Sequence, residues 1–134
     1  MTDARRAFGQ AGEDRAAAWY RSHGYEVMAR NWRCRDGELD LVVRRGRMVV
    51  FVEVKARRTD RFGIPAEAIT PTKQRRLRTL ARRYLEASEV RPASLRFDVV
   101  SILAGHLEVI EAAFLSVSHR APAAVRGAPS RIAA

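Results

Sequence analysis

Asp40, Glu53 and Lys55 are the residues of this sequence whose types and spacing suggest chemistry. Glu53 and Lys55 interrupt the hydrophobic run "MVVFVEVKA" at 48–56. Side chains alternate across a strand, so Val49, Phe51, Glu53 and Lys55 share one face and Val50, Val52 and Val54 the other. Charge buried in such a strand without a partner is costly. The preceding run, "ELDLVVR" at 38–44, puts Glu38, Asp40, Val42 and Arg44 on one face. "RRGR" joins the two as a hairpin signal, with Gly46 free to take positive φ. With an even-numbered loop, Asp40 falls on the face of Glu53 and Lys55. A two-residue loop at Arg45-Gly46 makes Asp40 and Glu53 diagonal neighbours, and a four-residue loop makes them directly opposite. Either brings two carboxylates within reach of one ion.

Two carboxylates and an ammonium on a half-buried sheet suit a hard divalent cation. Magnesium takes one or two carboxylates, keeps several waters and completes its shell with phosphate oxygen. It activates water and stabilises charge on phosphate, and a nearby lysine can orient or deprotonate that water. Of 25 basic residues, 23 are arginine; only Lys55 and Lys73 are lysine. Lysine's compact ammonium and adjustable pKa suit this role better than guanidinium. By itself an E-x-K on a strand is often a surface ion pair on a solvated face; the match at Asp40 is what lifts it above that.

Two helices must frame these strands. Residues 4–22 read as the first, ending at Gly24, with Gly9, Gly12, Glu13, Ala16 and Tyr20 on one side. The small residues suggest close approach to the sheet, carrying Glu13 with them as a third carboxylate; a snorkelling or capped glutamate is the plainer alternative. The second starts at Thr70-Pro71 as N-cap and first helical residue and ends near Ser88, with Leu77, Leu80, Ala81, Tyr84 and Leu85 on its buried face. Lys73 and Gln74 fall on that inner side, as an active-site rim would. Arg75, Arg78 and Arg82 face outward with Arg76 and Arg83 flanking, a basic stripe or simply a solvated face. Strands are expected at 25–34, 94–103 and 107–114, a polar loop at 57–69, and a flexible basic tail from 117. The order α-β-β-β-α-β-β makes an α/β fold on a mixed sheet.

The net charge of +10 and pI near 11.2 favour a polyanionic partner, whether DNA, RNA or an acidic membrane surface. The single cysteine, Cys34, excludes an intramolecular disulfide and a cysteine metal cluster and fits a reducing cytoplasm. The N-terminal stretch lacks the apolar core of a signal peptide. The longest apolar run, "MVVFV", is too short to span a bilayer. A soluble cytoplasmic protein is expected. His23, His106 and His119 have no ligand spacing for zinc, and no Walker or dinucleotide fingerprint is present. Trp19 and Trp32 read as core or sheet-edge aromatics.

"GQAGEDRAAAWY", "ARNWRCRDGELDLVV", "VVFVEVKARR", "ITPTKQRRL" and "RFDVVSI", in this order, resemble the PD-(D/E)XK nuclease superfamily over roughly residues 9–103. Within it the chain is similar to the small YraN-type family, and the fold implied is restriction-endonuclease-like. The resemblance implies Asp40 and Glu53 as metal ligands, completed by the Val54 carbonyl, with Lys55 as the catalytic lysine and Mg²⁺ or Mn²⁺ as cofactor. Glu13 matches the first-helix carboxylate of the Holliday-junction-resolvase-like branch. Leu39 stands where the superfamily commonly has proline, which removes no ligand. Arg33 and Asn31 would contact phosphate or position the hairpin; Lys73, Gln74 and Arg76 would line the nucleic-acid side. Glu38 receives no role, and Asp98 reads as a strand-edge acid satisfied by Arg96. Metal-dependent phosphodiester cleavage, typically leaving a 5′-phosphate, is implied for a domain over 1–116. By analogy with resolvases, the substrate is structured or branched DNA and the enzyme a homodimer. The alternatives are a noncatalytic nucleic-acid-binding accessory and a module whose basic surface binds an acidic protein.

Overall fold

The computed structural model describes residues 3–59 and 69–114. The tail expected from 117, most of the loop at 57–69 and the domain end at 116 lie outside them. Helix α1 spans Asp3–Ser22, followed by β1 (Glu26–Cys34), β2 (Gly37–Arg45) and β3 (Met48–Arg57), then α2 (Pro71–Ser88), β4 (Ser94–Leu103) and β5 (His106–Ile110). The strands form one sheet in the order β1-β2-β3-β4-β5. β3 and β4 are parallel and every other pair is antiparallel, so the sheet is mixed as expected.

Local chemistry sets the ends of the elements. At the end of α1, Gly24 takes φ 87 and Tyr25 N donates back to Tyr20 O at 3.0 Å, the long closing bond of a glycine-terminated helix. At the start of α2, Thr70 accepts from Lys73 N at 3.1 Å, with Pro71 next. Its end is less orthodox: Glu89 sits at φ 61 and donates its amide to Leu85 O at 2.9 Å. β5 stops four residues before the expected 114. Ala112 takes φ 52, Ala112 N donates to Asp98 Oδ1 at 3.0 Å, and Ala113 N donates to Phe97 O at 2.8 Å. The chain there turns back across β4 rather than extending the ladder.

The helices cover opposite faces. Ala16, Ala17 and Tyr20 of α1 pack with Leu41, Val43, Val50, Val52, Val100 and Ile102. Leu77, Leu80, Ala81 and Tyr84 of α2 pack with Leu39, Val42, Val49, Phe51 and Phe97 on the other. Trp32 meets Tyr84 edge-on at 5.4 Å, so it belongs to the core, as expected.

Asp98 is 1% exposed and lies in β4, between β3 and β5. It is therefore interior, not the strand-edge acid expected. Arg96 grips both of its oxygens at 2.9 Å, Tyr20 donates at 2.6 Å, and the Ala112 amide supplies a fourth donor. A buried charge answered this fully ties α1 to the sheet, and losing one partner of such a pair typically costs about 3–5 kcal/mol.

At Gly12 α1 comes close to the sheet. A Cβ there would stand 2.9 Å from Ala56 Cβ and 3.5 Å from Ile102 Cδ1, whereas one at Gly9 meets nothing within 4 Å. Gly12→Ala is expected to destabilise by about 1–3 kcal/mol through overpacking, despite alanine's better helix propensity. Gly9→Ala should be neutral or stabilising by up to about 1 kcal/mol. Thermal or denaturant unfolding of the two variants checks this; equal effects would mean that α1 does not rest on the sheet at Gly12.

Candidate functional site

The hairpin register decides whether Asp40 and Glu53 meet. β2 and β3 pair from Arg45↔Met48 to Leu41↔Val52, leaving a two-residue loop at Gly46-Arg47. Gly46 has φ 62, as primed hairpin turns require at that position. The loop thus has two residues, but one position later than Arg45-Gly46. Carried one step further, this register sets Asp40 directly opposite Glu53. The ladder itself stops there: Val54 N donates to the side chain of Asp40, to Oδ2 at 2.8 Å.

The β1–β2 ribbon turns over at the same level, which alternation did not foresee. Leu41 packs on the α1 side, and its partner Arg30 reaches Asp14 of α1 at 2.6 Å. Leu39 and its partner Trp32 pack on the α2 side. Residues two apart should share a face, so the expected alternation through Leu39 breaks between these pairs, at Asn31 and Asp40. Asn31 takes φ 52, and its Nδ2 donates to Glu13 Oε1 at 3.0 Å. Asparagine is among the few side chains that enter this region readily, which is the signal the sequence offered.

Glu53 is 13% exposed at its side chain and faces two ammonium groups through one oxygen: Lys73 Nζ at 2.8 Å and Lys55 Nζ at 3.6 Å. The capped first turn of α2 aims Lys73 inward, on the inner side where the sequence placed it. Gln74 does something else: its Nε2 donates back to Ile69 O at 3.2 Å. Arg33 is exposed beside Glu38 at 3.7 Å, and Arg76 is exposed with its Cδ close to Gly37 at the β1–β2 turn. Of these, Lys73 alone contacts the cluster, Arg33 and Arg76 stand by the β1–β2 turn, and Gln74 closes the helix start.

Asp40 is pushed up to about 7 by burial first, then by the charges of Glu53, Glu13 and Glu38, with the Val54 amide pulling the other way. Burial and the ammonium of Lys73 lower Lys55, outweighing the pull of Glu53. Burial would lower Lys73 too, but its close contact with Glu53 raises it. The two lysines are thus shifted in opposite directions.

Whether a divalent cation fits follows from this donor set. Asp40 and Glu53 stand opposite each other among carboxylates that repel, a charge pattern a hydrated hard cation relieves. Magnesium is commonly held by only one or two carboxylates, with water filling the rest of its shell. Among the described residues no group of three or more His, Cys, Asp or Glu side chains is disposed to hold a metal. Glu13 is engaged with Asn31 and acts on Asp40 through its charge. Two open grooves, about 660 and 440 Å³, lie by the C-terminal end of α2, the second also against the β2–β3 hairpin. They line none of these residues. No helix among the described residues is long and apolar enough to cross a membrane.

Residues 12–102 match the model of the uncharacterised protein family UPF0102. The chain belongs to that family. A UPF0102 protein of Mycolicibacterium vanbaalenii is 49% identical over 110 residues, covering 82% of this chain and 91% of its own length. One from Nocardia farcinica is 50% identical over 109 residues, covering 80% and 86%. One from Caldicellulosiruptor saccharolyticus is 43% identical over 98 residues, covering 73% and 83%. The UPF0102 match takes in Glu13, Asp40, Glu53, Lys55 and Lys73, the whole carboxylate–lysine cluster, and stops short of β5.

With a folded pKa near 7 against about 3.9 in an unfolded chain, Asp40 binds protons more tightly when folded. Its contribution to stability is fully present below about pH 4 and lost as pH rises through 7. Asp40→Asn keeps an oxygen for the Val54 amide and removes the charge. Relative to wild type it should gain stability steadily from pH 4 to pH 8, by on the order of 2 kcal/mol after discounting for partial exposure. Denaturant titrations without divalent cation read this directly, and a difference flat across that range would contradict the repulsion described.

Proposed function

We propose that the protein is a metal-dependent nuclease that hydrolyses phosphodiester bonds in nucleic acid, DNA foremost. The observation that carries the reading is Asp40 opposite Glu53 with Lys55 against Glu53, on a frame where Val54 N is held by Asp40. The net charge of +10 supports a polyanionic substrate. The resemblance to PD-(D/E)XK nucleases assigns the same three residues. A Mg²⁺ or Mn²⁺ held by Asp40, Glu53 and the Val54 carbonyl would supply Lewis acidity toward the phosphate and lower the pKa of water.

The chain's own residues divide the remaining work. Lys55, its pKa lowered, takes a proton from the attacking water at Nζ. The water oxygen bonds to phosphorus, and the bond to the 3′ oxygen breaks. That oxygen takes a proton from solvent, leaving a 5′-phosphate and a 3′-hydroxyl. Lys73, kept charged by Glu53, faces the negative charge that develops on the phosphate. Glu53 holds both lysines in place, so its removal misplaces the base as well as a ligand.

Cleavage of single-stranded, duplex, flap and four-way-junction DNA, and of RNA, tests the proposal. Wild type should cut at least one substrate with Mg²⁺ or Mn²⁺ and stop on chelation. Lys55→Met should lose about 10²–10⁴-fold in rate, and Asp40→Asn and Glu53→Gln at least as much. Because Lys73 helps to lower Lys55, Lys73→Met should move the rising limb of the pH–rate profile to higher pH. If wild type binds these substrates but is as inert as Lys55→Met on all of them, the noncatalytic accessory reading takes its place.

A further inference from the structure

Three arginines stand near the carboxyl ends of the parallel strands β3 and β4. Arg15 of α1 donates Nη1 to Gly105 O at 2.7 Å, and Arg58 lies over the Phe8 ring at 4.1 Å. Arg57 differs from both. Its Nη2 is buried with no hydrogen-bond partner, and its guanidinium forms no ion pair among the described residues. A buried donor left unmet carries a desolvation cost with nothing returned, and in a native structure it calls for an explanation such as an absent ion.

The placement of Arg57 indicates what that ion would be. β3 and β4 pair without a shift from Met48↔Ser94 to Arg57↔Leu103, so alternation carries Glu53, Lys55 and Arg57 onto one face. Val54 and Ala56 lie on the other, against Gly12 of α1. Arg57 therefore follows Lys55 on the reactive face at about 6.6 Å along the strand. Its backbone is fixed, with Arg57 O accepting from Ala104 N at 2.9 Å. Guanidinium is the side chain best matched to a phosphate, offering two parallel N–H groups to two anionic oxygens.

We propose that Arg57 is a substrate-holding residue of the same site, gripping a non-bridging oxygen of the backbone phosphate next to the one that faces Lys55. This rests on the nucleic-acid reading above. It makes Arg57 a determinant of where the strand lies along β3, distinct from the metal ligands and from the proton-accepting lysine.

Binding, not cleavage, is the readout, so an inert enzyme still reports on Arg57. Full-length wild type, Arg57→Gln and Arg47→Gln, the last at the far hairpin, are titrated with a short DNA duplex and single strand at several salt concentrations without metal. Arg57→Gln should weaken binding about tenfold and flatten the slope of log K against log salt by about 0.7–0.9, one phosphate's worth. Arg47→Gln should change neither. Arg57→Gln should also keep or raise Tm, because its buried nitrogen has no partner among the described residues to lose. Wild-type affinity and slope in Arg57→Gln, or a lowered Tm, overturns the proposal. If wild type binds no nucleic acid even at low salt, the functional reading fails first. Inorganic phosphate then tests Arg57 alone: a shift of its Nε–Hε signal on titration keeps it as an anion site, and no shift overturns that too.

Discussion

The hydrogen bond from the Val54 amide to the Asp40 carboxylate, at 2.8 Å, is the constraint on which the rest of the structure turns. In an antiparallel pair the β3 amide would ordinarily go to a β2 carbonyl. Here a side chain takes it, so the ladder ends at Leu41↔Val52 and the strands are held together without being zipped. Asp40 is thereby fixed by the backbone opposite Glu53, and the β1–β2 ribbon turns over at the same level. Two consequences bear on the cluster: a pinned carboxylate, and Asn31 brought to Glu13.

Asp98 and Asp40 have opposite surroundings. Asp98 receives Arg96 on both oxygens, the Tyr20 hydroxyl and the Ala112 amide, and nothing more is needed to satisfy it. Asp40 receives one amide and faces Glu53, Glu13 and Glu38. Stability is concentrated at the first, which ties α1 to β4. The second meets mainly like charge, and burial together with that charge pushes its pKa up to about 7. Such a strained acid within a well-packed sheet is the pattern common at functional sites, and it motivates the reading proposed for Asp40. The two lysines extend the contrast, since Glu53 lies close to Lys73 and raises its pKa, while burial and Lys73 lower that of the more distant Lys55.

Much of this was legible in the sequence because period and punctuation are local signals. The 3.6-residue pattern of Leu77, Leu80, Ala81 and Tyr84, with Thr70-Pro71 before it, fixes α2 and hence the inward aim of Lys73. Alternation in 48–56 places Glu53 and Lys55 together, and an even hairpin loop adds Asp40. What escaped depends on tertiary partners. The turnover at Asn31 and Asp40 needs a left-handed residue and a side chain that replaces a ladder bond. The early end of β5 follows from Asp98 taking the Ala112 amide, a pairing 14 residues apart in sequence. Gln74 shared its inner position with Lys73, but the distance to Ile69 O decided its role. Arg57 was invisible because burial of its guanidinium is set by tertiary packing that no local pattern in the sequence carries.

The central claim is that Asp40 and Glu53 form a single cation site beside Lys55. Titration of Mn²⁺ into the metal-free protein, followed by calorimetry or by the loss of free Mn²⁺ signal, tests it most directly. The expected result is one ion per chain, with affinity reduced at least tenfold in both Asp40→Asn and Glu53→Gln and retained in Lys55→Met. Mn²⁺ affinity unchanged by either carboxylate substitution would contradict it.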